Sequence, residues 1–558
     1  MCGSQTHRLA LLSDLPHAVV GFSTGEGAIS PRLRLAGVTR ITAGRFALPV
    51  PAVAAKRLSH VELPPVDAMS QKAIRHWQRQ QFDEALREFR LAATKSRSAV
   101  AWIDYAHALA LTWQGRRALD AFERAYRIGP QGAVEKAAAD RFLALGRYDL
   151  AASFLERVRH RGDAEPRHAL GLAECLERAG KIDESADALE GALGRFGPLP
   201  ELRIFRAKLL RRRGEAGEAL ALLDAVIADG RLTGRPASSV HYERAACLEK
   251  LGRFPEVFPA LLQAKQPLIG EYQGMLEQST RALHRLRDDV SRLTRDQVRA
   301  WRERPPNKPL CLMTGFPRSG TTLLEVILDS HEGVITSSEA PIFSDFVLTP
   351  ECNEQDGNFP ASFDAPKAKA LAARYWNYQE GNLGEPGGRL LVDKNPALTP
   401  ILHHFINVFG GSRLLFCLRE PKDVMLSCYQ QELPIGRVSV QFLEWRTCWE
   451  FYQITMEIWL RIRELLDGDF QEVRYEDLVR DYPGTMRGVL DHLGLEWSER
   501  IPGYLERKEE TQVFSPTYAD VRVPIHGAAV QRWTHHESHF GGEDEVPMAH
   551  PLFRDLGY

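Results

Sequence analysis

A recurring pattern of alanine and turn residues is the feature that most restricts the fold of this chain. From about residue 70, an alanine stands seven positions before a turn position, six times at spacings of 31 to 38 residues. The alanines are Ala73, Ala108, Ala139, Ala173, Ala207 and Ala245, and the turn positions are Gln80, Gly115, Gly146, Gly180, Gly214 and Gly252. Alanine lets a neighbouring helix approach closely, and glycine accepts the left-handed conformation that ends a helix. The pattern therefore predicts helix pairs that stack, because one pair cannot bury its own apolar face.

These segments resemble tetratricopeptide repeats, whose period is about 34 residues. The resemblance covers residues 69–265 and implies an all-α solenoid. Such an array binds a polypeptide substrate or a protein partner on its concave surface; a scaffold or a dimerisation arm is the alternative. We predict a helical connector over residues 266–305, because a Pro-Pro pair then breaks the helix. Residues 1–68 show no sustained period, so we expect a disordered extension, or a gene start placed too early with Met69 as the true start.

Composition excludes several classes of protein. The 558 residues carry a net charge of −2, and the eight cysteines form no C-x-x-C pair, so neither a zinc site nor a disulfide scaffold is indicated. No segment reaches the roughly 18 uninterrupted apolar residues that a membrane-spanning helix needs. We therefore expect a cytoplasmic protein with no nucleic-acid or membrane partner, and leave a homodimer open.

The second half of the chain opens with the pattern of a phosphate-binding loop. A short apolar run, L-C-L-M-T (310–314), is followed by G-F-P-R-S-G-T-T (315–322) and then by a segment with helical spacing. In this strand–loop–helix order, backbone N–H groups and the helix N-terminus bind anions. The candidate ligands are Pro317, Arg318, Ser319, Gly320, Thr321 and Thr322. Nucleoside-triphosphate enzymes place a lysine where Thr321 stands, so the loop predicts a shorter anion chain and no obligatory metal.

A second apolar strand predicts a second phosphate site. The run at residues 413–418 leads into Arg419, and Ser427 follows on the next helix. A guanidinium at the end of a strand binds phosphate bidentately. Two separated anion sites favour a nucleotide that is phosphorylated at both its 5′ and 3′ positions.

With both motifs in view, the chain resembles the sulfotransferases over about residues 306–540. The version with P-R-S-G-T-T is similar to the tyrosylprotein sulfotransferases and to bacterial enzymes that fuse tetratricopeptide repeats to such a domain. The resemblance implies a P-loop-like α/β domain with a central parallel sheet over residues 306–558. It also implies 3′-phosphoadenosine-5′-phosphosulfate as donor, 3′,5′-bisphosphoadenosine as product, and a peptide tyrosine as first acceptor. A carbohydrate, lipid or small phenol is the alternative acceptor; a P-loop kinase or NTPase and a non-catalytic repeat scaffold are the alternative functions.

The resemblance also implies roles for individual residues. Glu339, in T-S-S-E-A-P, matches the family's catalytic base, with a capping or surface carboxylate as the plain alternative. Arg318 matches an arginine that faces the sulfuryl group, and Lys394, in V-D-K-N-P, matches a lysine that assists the leaving phosphate. Four further positions match segments near the nucleotide: Tyr475, Ser515, Thr517 and Arg522.

Overall fold

The computed structural model describes residues 68–352, 359–507, 521, 523–542 and 546–558, which form a helical array followed by an α/β domain. The helices of the array are Ala68–Gln78 (α1), Phe82–Ser96 (α2), Ala99–Leu111 (α3), Gly115–Ile128 (α4), Gln131–Ala144 (α5), Tyr148–Arg161 (α6), Pro166–Arg178 (α7), Ile182–Phe196 (α8), Pro200–Arg212 (α9), Ala216–Ala228 (α10) and Arg235–Lys250 (α11). Val257–Ser291 (α12) packs against α11 as the second helix of the last pair and continues beyond the array, and Arg295–Arg302 (α13) follows it. The predicted fold class, a helical repeat array joined to a parallel α/β domain, is confirmed.

The helix pairs of the array pack through the predicted alanines. All six are buried, with exposed fractions of 0 to 4%. The predicted left-handed turn occurs at Gln80, Gly146, Gly180, Gly214 and Gly252, where φ lies between 61° and 89°. The prediction was wrong at Gly115, which begins α4. The left-handed residue of that turn is Trp113, with a φ of 59°. Trp113 lies more evenly between Gln80 and Gly146, so the true repeat is more regular than the glycine pattern suggested.

A five-stranded parallel sheet forms the centre of the second domain. Its strands are Leu310–Gly315 (β1), Val334–Ser338 (β2), Leu390–Lys394 (β3), Arg413–Leu418 (β4) and Gln471–Arg474 (β5). They lie in the order β2-β3-β1-β4-β5, and every neighbouring pair is parallel. The chain therefore moves to one side of β1 for β2 and β3 and to the other side for β4 and β5. Ligands of open α/β sheets bind at the carboxyl ends of the strands, where the order reverses in this way.

Helices cover both faces of the sheet. They are Thr321–Asp329 (α14), Ala365–Leu383 (α15), Leu402–Phe409 (α16), Pro421–Gln430 (α17), Trp445–Leu466 (α18), Tyr475–Arg480 (α19), Tyr482–Leu493 (α20) and Pro551–Asp555 (α21). Residues of α14 and α20 share one apolar core with alternate residues of the strands, and residues of α15, α16 and α18 share the other. Such burial on both faces explains why β1 and β4 read as near-continuous apolar runs.

The array rests on the α/β domain near both of its ends. At the first repeat, the Phe82 ring meets the Phe346 ring at a centroid distance of 5.3 Å, and Tyr378 Oη donates to Asp83 over 3.0 Å. At the last repeat, Phe258 stacks on Tyr429 at 5.3 Å. Apolar residues of both parts share common cores at these two places. Between these two places, Arg117 and Arg147 donate to Asn377 and Asn382 of α15 over 3.1 and 3.0 Å, so the second and third helix pairs also contact the α/β domain.

The predicted boundary between array and connector lies inside a helix. Helix α12 runs for 35 residues through position 265 and continues past Pro267 without a break in its bounds. A proline inside a helix removes one backbone hydrogen bond, and Pro267 is exposed to solvent. The domain bounds at residues 68, 265 and 305 stay predictions.

Candidate active site

Most of the predicted site residues that the structure describes gather at one edge of the sheet, because they follow or end five different strands. Residues 317–322 follow β1, Glu339 follows β2, Lys394 ends β3, Arg419 follows β4 and Tyr475 follows β5. The strands are parallel, so their carboxyl ends meet at this edge. The sequence predicted the residues, and the strand order brings them together.

The phosphate loop needs its two glycines for different reasons. Gly315 lies against β4, where an added Cβ would stand 2.5 Å from the carbonyl oxygen of Cys417. Gly320 has a φ of 89°, and an added Cβ would stand 2.6 Å from the Tyr475 ring. Thr321 and Thr322 open α14 directly after Gly320 and are buried. The backbone of the loop therefore lies close to β4 and to Tyr475 at the start of α19, and it leads directly into the N-terminus of α14.

Arg318 connects the two predicted phosphate sites. Its Nε donates to Ser427 Oγ over 3.1 Å, and its carbonyl oxygen accepts from Arg419 Nη1 over 3.2 Å. The backbone at Arg318 has a φ of 75°, a left-handed value that costs a residue with a Cβ about 1–2 kcal/mol. The sites predicted from β1 and β4 are thus adjacent, and Arg318 bridges them.

Arg419 is a buried cation with spare hydrogen-bonding capacity. Its side chain is 7% exposed and lies over the Tyr475 ring, with 4.9 Å from Cζ to the ring centroid. One terminal nitrogen donates to Arg318 and the other to the carbonyl of Ala529. Its Nε is buried and has no hydrogen-bond partner. Buried N–H groups are rarely left unpaired, so an unpaired one in a cavity wall points to a ligand.

Glu339 and Lys394 form an ion pair at the next two strand ends. Lys394 Nζ donates to Glu339 Oε1 over 2.6 Å, and the Glu339 backbone N–H donates to the Lys394 carbonyl over 2.8 Å. The lysine side chain is 0% exposed, whereas that of Glu339 is 37% exposed. Lys394 is therefore no surface lysine, and Glu339 is the member of the pair that faces the cavity.

The sequence analysis missed Glu325, which is the second carboxylate on Lys394. Glu325 Oε2 lies 3.0 Å from Lys394 Nζ and accepts a hydrogen bond from Ser338 over 3.2 Å. Burial raises the pKa of Glu325 to about 7, although Lys394 acts in the opposite direction. A signal was present in T-T-L-L-E-V-I-L-D: a single carboxylate among apolar residues of a helix that packs on a sheet.

The C-terminal segment contributes to the same site. Ser515, Thr517 and Arg522 lie outside the described residues. Their described neighbours Val521, Val523 and Ile525 line the cavity. Farther along, the backbone N–H groups of Gln531 and Trp533 both donate to the buried carboxylate of Asp423 on α17, over 2.7 and 2.9 Å. Asp423 thereby fixes this segment beside Arg419, a role that the sequence analysis did not foresee.

One cavity of about 1290 Å³ joins these residues to the array. Nine predicted residues line it: Pro317, Arg318, Gly320, Thr321, Thr322, Glu339, Arg419, Ser427 and Tyr475. Ser319 and Lys394 are buried behind its wall. Its opposite wall comes from the array and α12, including Trp113, Tyr148, Arg235, Glu249 and Met275. Typical small-molecule sites measure about 300–1,000 Å³, so this cavity has room for a nucleotide and part of a second ligand.

Two kinds of feature are absent from the described part of the chain. Among those residues, no helix is long and apolar enough to cross a membrane. No group of three or more His, Cys, Asp or Glu side chains within the same ranges is arranged to hold a metal ion.

Two segments of the chain match the models of known protein families. Residues 309–499 match the model of the Sulfotransferase family, and residues 136–200 match that of the Tetratricopeptide repeat. An uncharacterized protein of Aquifex aeolicus (strain VF5) is 23% identical over 433 residues, which are 70% of this chain and 56% of that protein. Protein-tyrosine sulfotransferase 2 of Gallus gallus is 23% identical over 263 residues, covering 45% of this chain and 69% of that enzyme. The sulfotransferase domain of the Synechococcus PCC 7002 olefin synthase is 21% identical with a TM-score of 0.33, covering 46% of this chain and 96% of that domain.

Proposed function

We propose that this protein, in which a tetratricopeptide repeat precedes a sulfotransferase-family domain, transfers a sulfuryl group from 3′-phosphoadenosine-5′-phosphosulfate to an acceptor hydroxyl. A tyrosine of a polypeptide held between the array and the α/β domain is the first candidate acceptor. The observation that carries the proposal is the meeting of the phosphate loop, Arg419 and the Glu339–Lys394 pair in a single cavity. That arrangement combines two anion sites with a base.

The donor set fits a nucleotide with two phosphate-bearing positions. The loop at residues 317–322 supplies backbone N–H groups and two hydroxyls at the N-terminus of α14, an arrangement that binds one phosphate group. Arg419, with its unpaired Nε, and Ser427 supply donors for another. The lysine of a nucleoside-triphosphate loop is missing at Thr321, which disfavours the kinase and NTPase alternatives.

Glu339 is suited to the role of base because it lies on the cavity wall and because both its side chain and its backbone are fixed by hydrogen bonds. Its carboxylate is bonded to Lys394 Nζ and its backbone to the Lys394 carbonyl. A phenol has a pKa near 10, so at neutral pH it needs a base to become a strong nucleophile. Glu339 would accept that proton while the acceptor oxygen approaches sulfur.

Positive charge at the reaction centre comes from Arg318 and Lys394. The donor, when bound, supplies the sulfuryl group, whose negative charge moves toward the leaving phosphate. Arg318, which belongs to the phosphate loop, lines the cavity, and Lys394 is paired with Glu339 behind the cavity wall. Fixed cations in a water-poor site stabilise such developing charge without having to reorient. We propose that Arg318 stabilises the transferring group and Lys394 the leaving phosphate.

The acceptor side of the cavity favours an aromatic hydroxyl on a chain. The lining of the cavity is largely apolar and includes Phe359, Ile401, Leu433 and Phe442. Such walls bind a phenol ring better than a sugar, whose hydroxyls would lose hydrogen bonds there. The array forms the facing wall, and concave repeat surfaces bind extended polypeptides. Both observations support a peptide tyrosine over a carbohydrate.

Calorimetry with nucleotides tests the donor. We expect the protein to bind 3′,5′-bisphosphoadenosine without added metal and to bind ATP with magnesium much more weakly. Heat with ATP and magnesium but none with the bisphosphate would instead support a kinase or NTPase. Incubation with 35S-labelled donor and a lysate then identifies the acceptor by the molecule that becomes labelled.

A further inference from the structure

Glu325 is a buried carboxylate for which the proposed reaction has so far no use. It lies in the middle of α14, between Leu324 and Val326, and is 4% exposed. Carboxylates are almost never fully buried unless they are paired. Glu325 is paired with Lys394, so the reason for its burial lies in what that lysine does.

Lys394 is held between two carboxylates that face different environments. Glu339, 2.6 Å from Nζ, lines the cavity, and Glu325, 3.0 Å from Nζ, lies toward the interior. Ser338, which pairs with Lys394 in the register of β2 and β3, donates to the same oxygen of Glu325 that faces the lysine. The other oxygen, Oε1, is buried without a partner. The hydrogen bond from Ser338 thus holds Oε2 of Glu325 next to the ammonium group of Lys394.

The proposed reaction changes the charge on only one of these carboxylates. When the acceptor oxygen bonds to sulfur and the bond from sulfur to the phosphate oxygen breaks, the hydroxyl proton passes to Glu339. Glu339 then becomes neutral, and Lys394 loses the charge of its nearer partner. A buried ammonium without a counter-charge is strongly destabilised and tends to lose its proton. Lys394 therefore needs a second anion at the moment when its charge is required by the leaving phosphate.

We propose that Glu325 is a positioning residue that holds Lys394 in place and keeps it protonated while Glu339 accepts the acceptor's proton. The inference rests on the proposed function, and it assigns Glu325 no contact with substrate. The charged groups that interact with Glu325 are Lys394 on β3 and Glu339 after β2. Asp329, one turn further along α14, accepts instead from Thr336 over 2.9 Å.

The electrostatics of the cluster agree with this geometry. Burial acts to lower the pKa of Lys394, but the charges of Glu325 and then Glu339 outweigh it and raise that pKa above its ordinary value. Loss of the Glu325 charge removes the larger of these two stabilising effects. The lysine would then lose its proton at a lower pH, and most readily once Glu339 is neutral.

The test uses the full-length protein, the phosphosulfate donor and 4-methylphenol, which is the tyrosine side chain without its backbone. Glu325→Gln keeps the shape of the side chain, and we expect kcat to fall about tenfold or more with KM for the donor nearly unchanged. The alkaline limb of the kcat–pH profile should move to lower pH by roughly one unit. Asp329→Asn, which removes a carboxylate from the same helix, should leave kcat and the profile unchanged. In a Lys394→Met background, Glu325→Gln should add little further loss, because it acts through the lysine.

The outcomes separate the inference from the proposed function. An active wild type whose Glu325→Gln variant keeps its kcat and its alkaline limb would overturn the inference alone. So would a variant that loses only thermal stability, or full additivity with Lys394→Met. A wild type that neither binds 3′,5′-bisphosphoadenosine nor turns over 4-methylphenol would overturn the proposed function, and the inference with it.

Discussion

Two side chains of the site are held on backbone that residues with a Cβ usually avoid. Arg318 and Glu339 have φ values of 75° and 52°. Each is fixed by a hydrogen bond to the backbone of its own residue: Arg419 donates to the Arg318 carbonyl, and the Glu339 N–H donates to the Lys394 carbonyl. Strained residues persist when the surroundings determine their conformation, and they cluster at functional sites. The strain therefore falls on the two residues proposed to face the reacting group.

Replacement of the proposed base tests its role most directly. Glu339→Gln retains the size of the side chain and one hydrogen bond to Lys394, but it cannot accept the acceptor's proton. We expect kcat to fall by about 10²- to 10⁴-fold, the usual contribution of a general base. Calorimetric affinity for 3′,5′-bisphosphoadenosine should stay within a few-fold of wild type. A Glu339→Gln protein with full turnover would contradict the assignment.

The glycine at the N-terminus of α14 is expected to tolerate no side chain. Gly320→Ala places a Cβ 2.6 Å from the Tyr475 ring at a φ of 89°. We expect a lower thermal midpoint and about tenfold or greater loss of affinity for the bisphosphate, because the loop must move to relieve the contact. Gly191→Ala is the matched control: an added Cβ there has no heavy atom within 4 Å, and alanine favours the helix. Equal effects of the two substitutions would refute the steric argument.

At the scale of elements, the sequence predicted those strands that are buried on both faces. β1 and β4 read as continuous apolar runs, and V-D-K-N-P marked the end of β3. β2 and β5 lie at the edges of the sheet, and most of their residues are only partly buried, so their patterns were weak. The strand order was not predictable from local patterns, because β1 pairs with strands some 80 to 100 residues away in sequence.

Features that depend on packing between distant elements also escaped prediction. Glu325 on α14 was passed over because its partner Lys394 lies on β3, far away in the sequence. The cavity wall from the array depends on how two domains meet, and no motif encodes that contact. The residues of the site were thus easier to predict than their supports.

Arg419, at the junction of β4 and α17, is expected to contribute to only one of the two phosphate sites, the one that does not include the loop at residues 317–322. Arg419→Met preserves most of the side-chain length but removes the charge and the donors. We expect affinity for 3′,5′-bisphosphoadenosine to fall by roughly 10- to 100-fold, since a charged hydrogen bond contributes about 1.5–3 kcal/mol. Affinity for adenosine 5′-phosphate, which lacks the 3′-phosphate, should fall much less. Equal losses for both nucleotides would show that Arg419 does not distinguish the two ends.

For the molecule as a whole, a buried lysine joins the array to the α/β domain. Lys265 Nζ on α12 donates to the Phe442 carbonyl over 2.5 Å and lies 4.0 Å from the centroid of the Tyr429 ring. Burial lowers the pKa of Lys265 to about 7. The charged form of Lys265 is therefore destabilised by burial where the two domains meet. The protonation state of Lys265 is linked to the stability of that contact.

Stability should depend on pH through this lysine. Below pH 7 the lysine is protonated in both the folded and the unfolded chain, so the cost of its buried charge is fully present. Between pH 7 and about 10 the unfolded chain keeps the proton that the folded chain has lost, and stability rises by at most about 1.4 kcal/mol per pH unit. The thermal midpoint of wild type should therefore rise relative to Lys265→Met over this range. The exposed Lys369→Met should show no such change, and a constant difference between wild type and Lys265→Met would contradict the linkage.

The cavity wall supplied by α12 provides a test of the polypeptide acceptor. Met275 lines the cavity, as does Ser279 one turn further along α12. The Ser279 hydroxyl donates to the carbonyl of Arg437. Arg437 in turn pairs with Asp345, in the segment after Glu339. Met275→Arg places a charge on that wall, away from the nucleotide loop. We expect KM for a tyrosine peptide to rise about tenfold, because the peptide must pass this wall, while turnover of 4-methylphenol and affinity for the bisphosphate stay unchanged.

Leu262 offers the matched control on the same helix. It is 52% exposed, and Leu262→Arg adds the same charge at the same helix's solvent side. We expect wild-type kinetics with both the peptide and 4-methylphenol. If Met275→Arg raised KM for the small phenol as strongly as for the peptide, the wall would belong to a compact acceptor pocket. If neither substrate distinguished the two variants, α12 would take no part in acceptor binding, and the array's role in holding a polypeptide would fail.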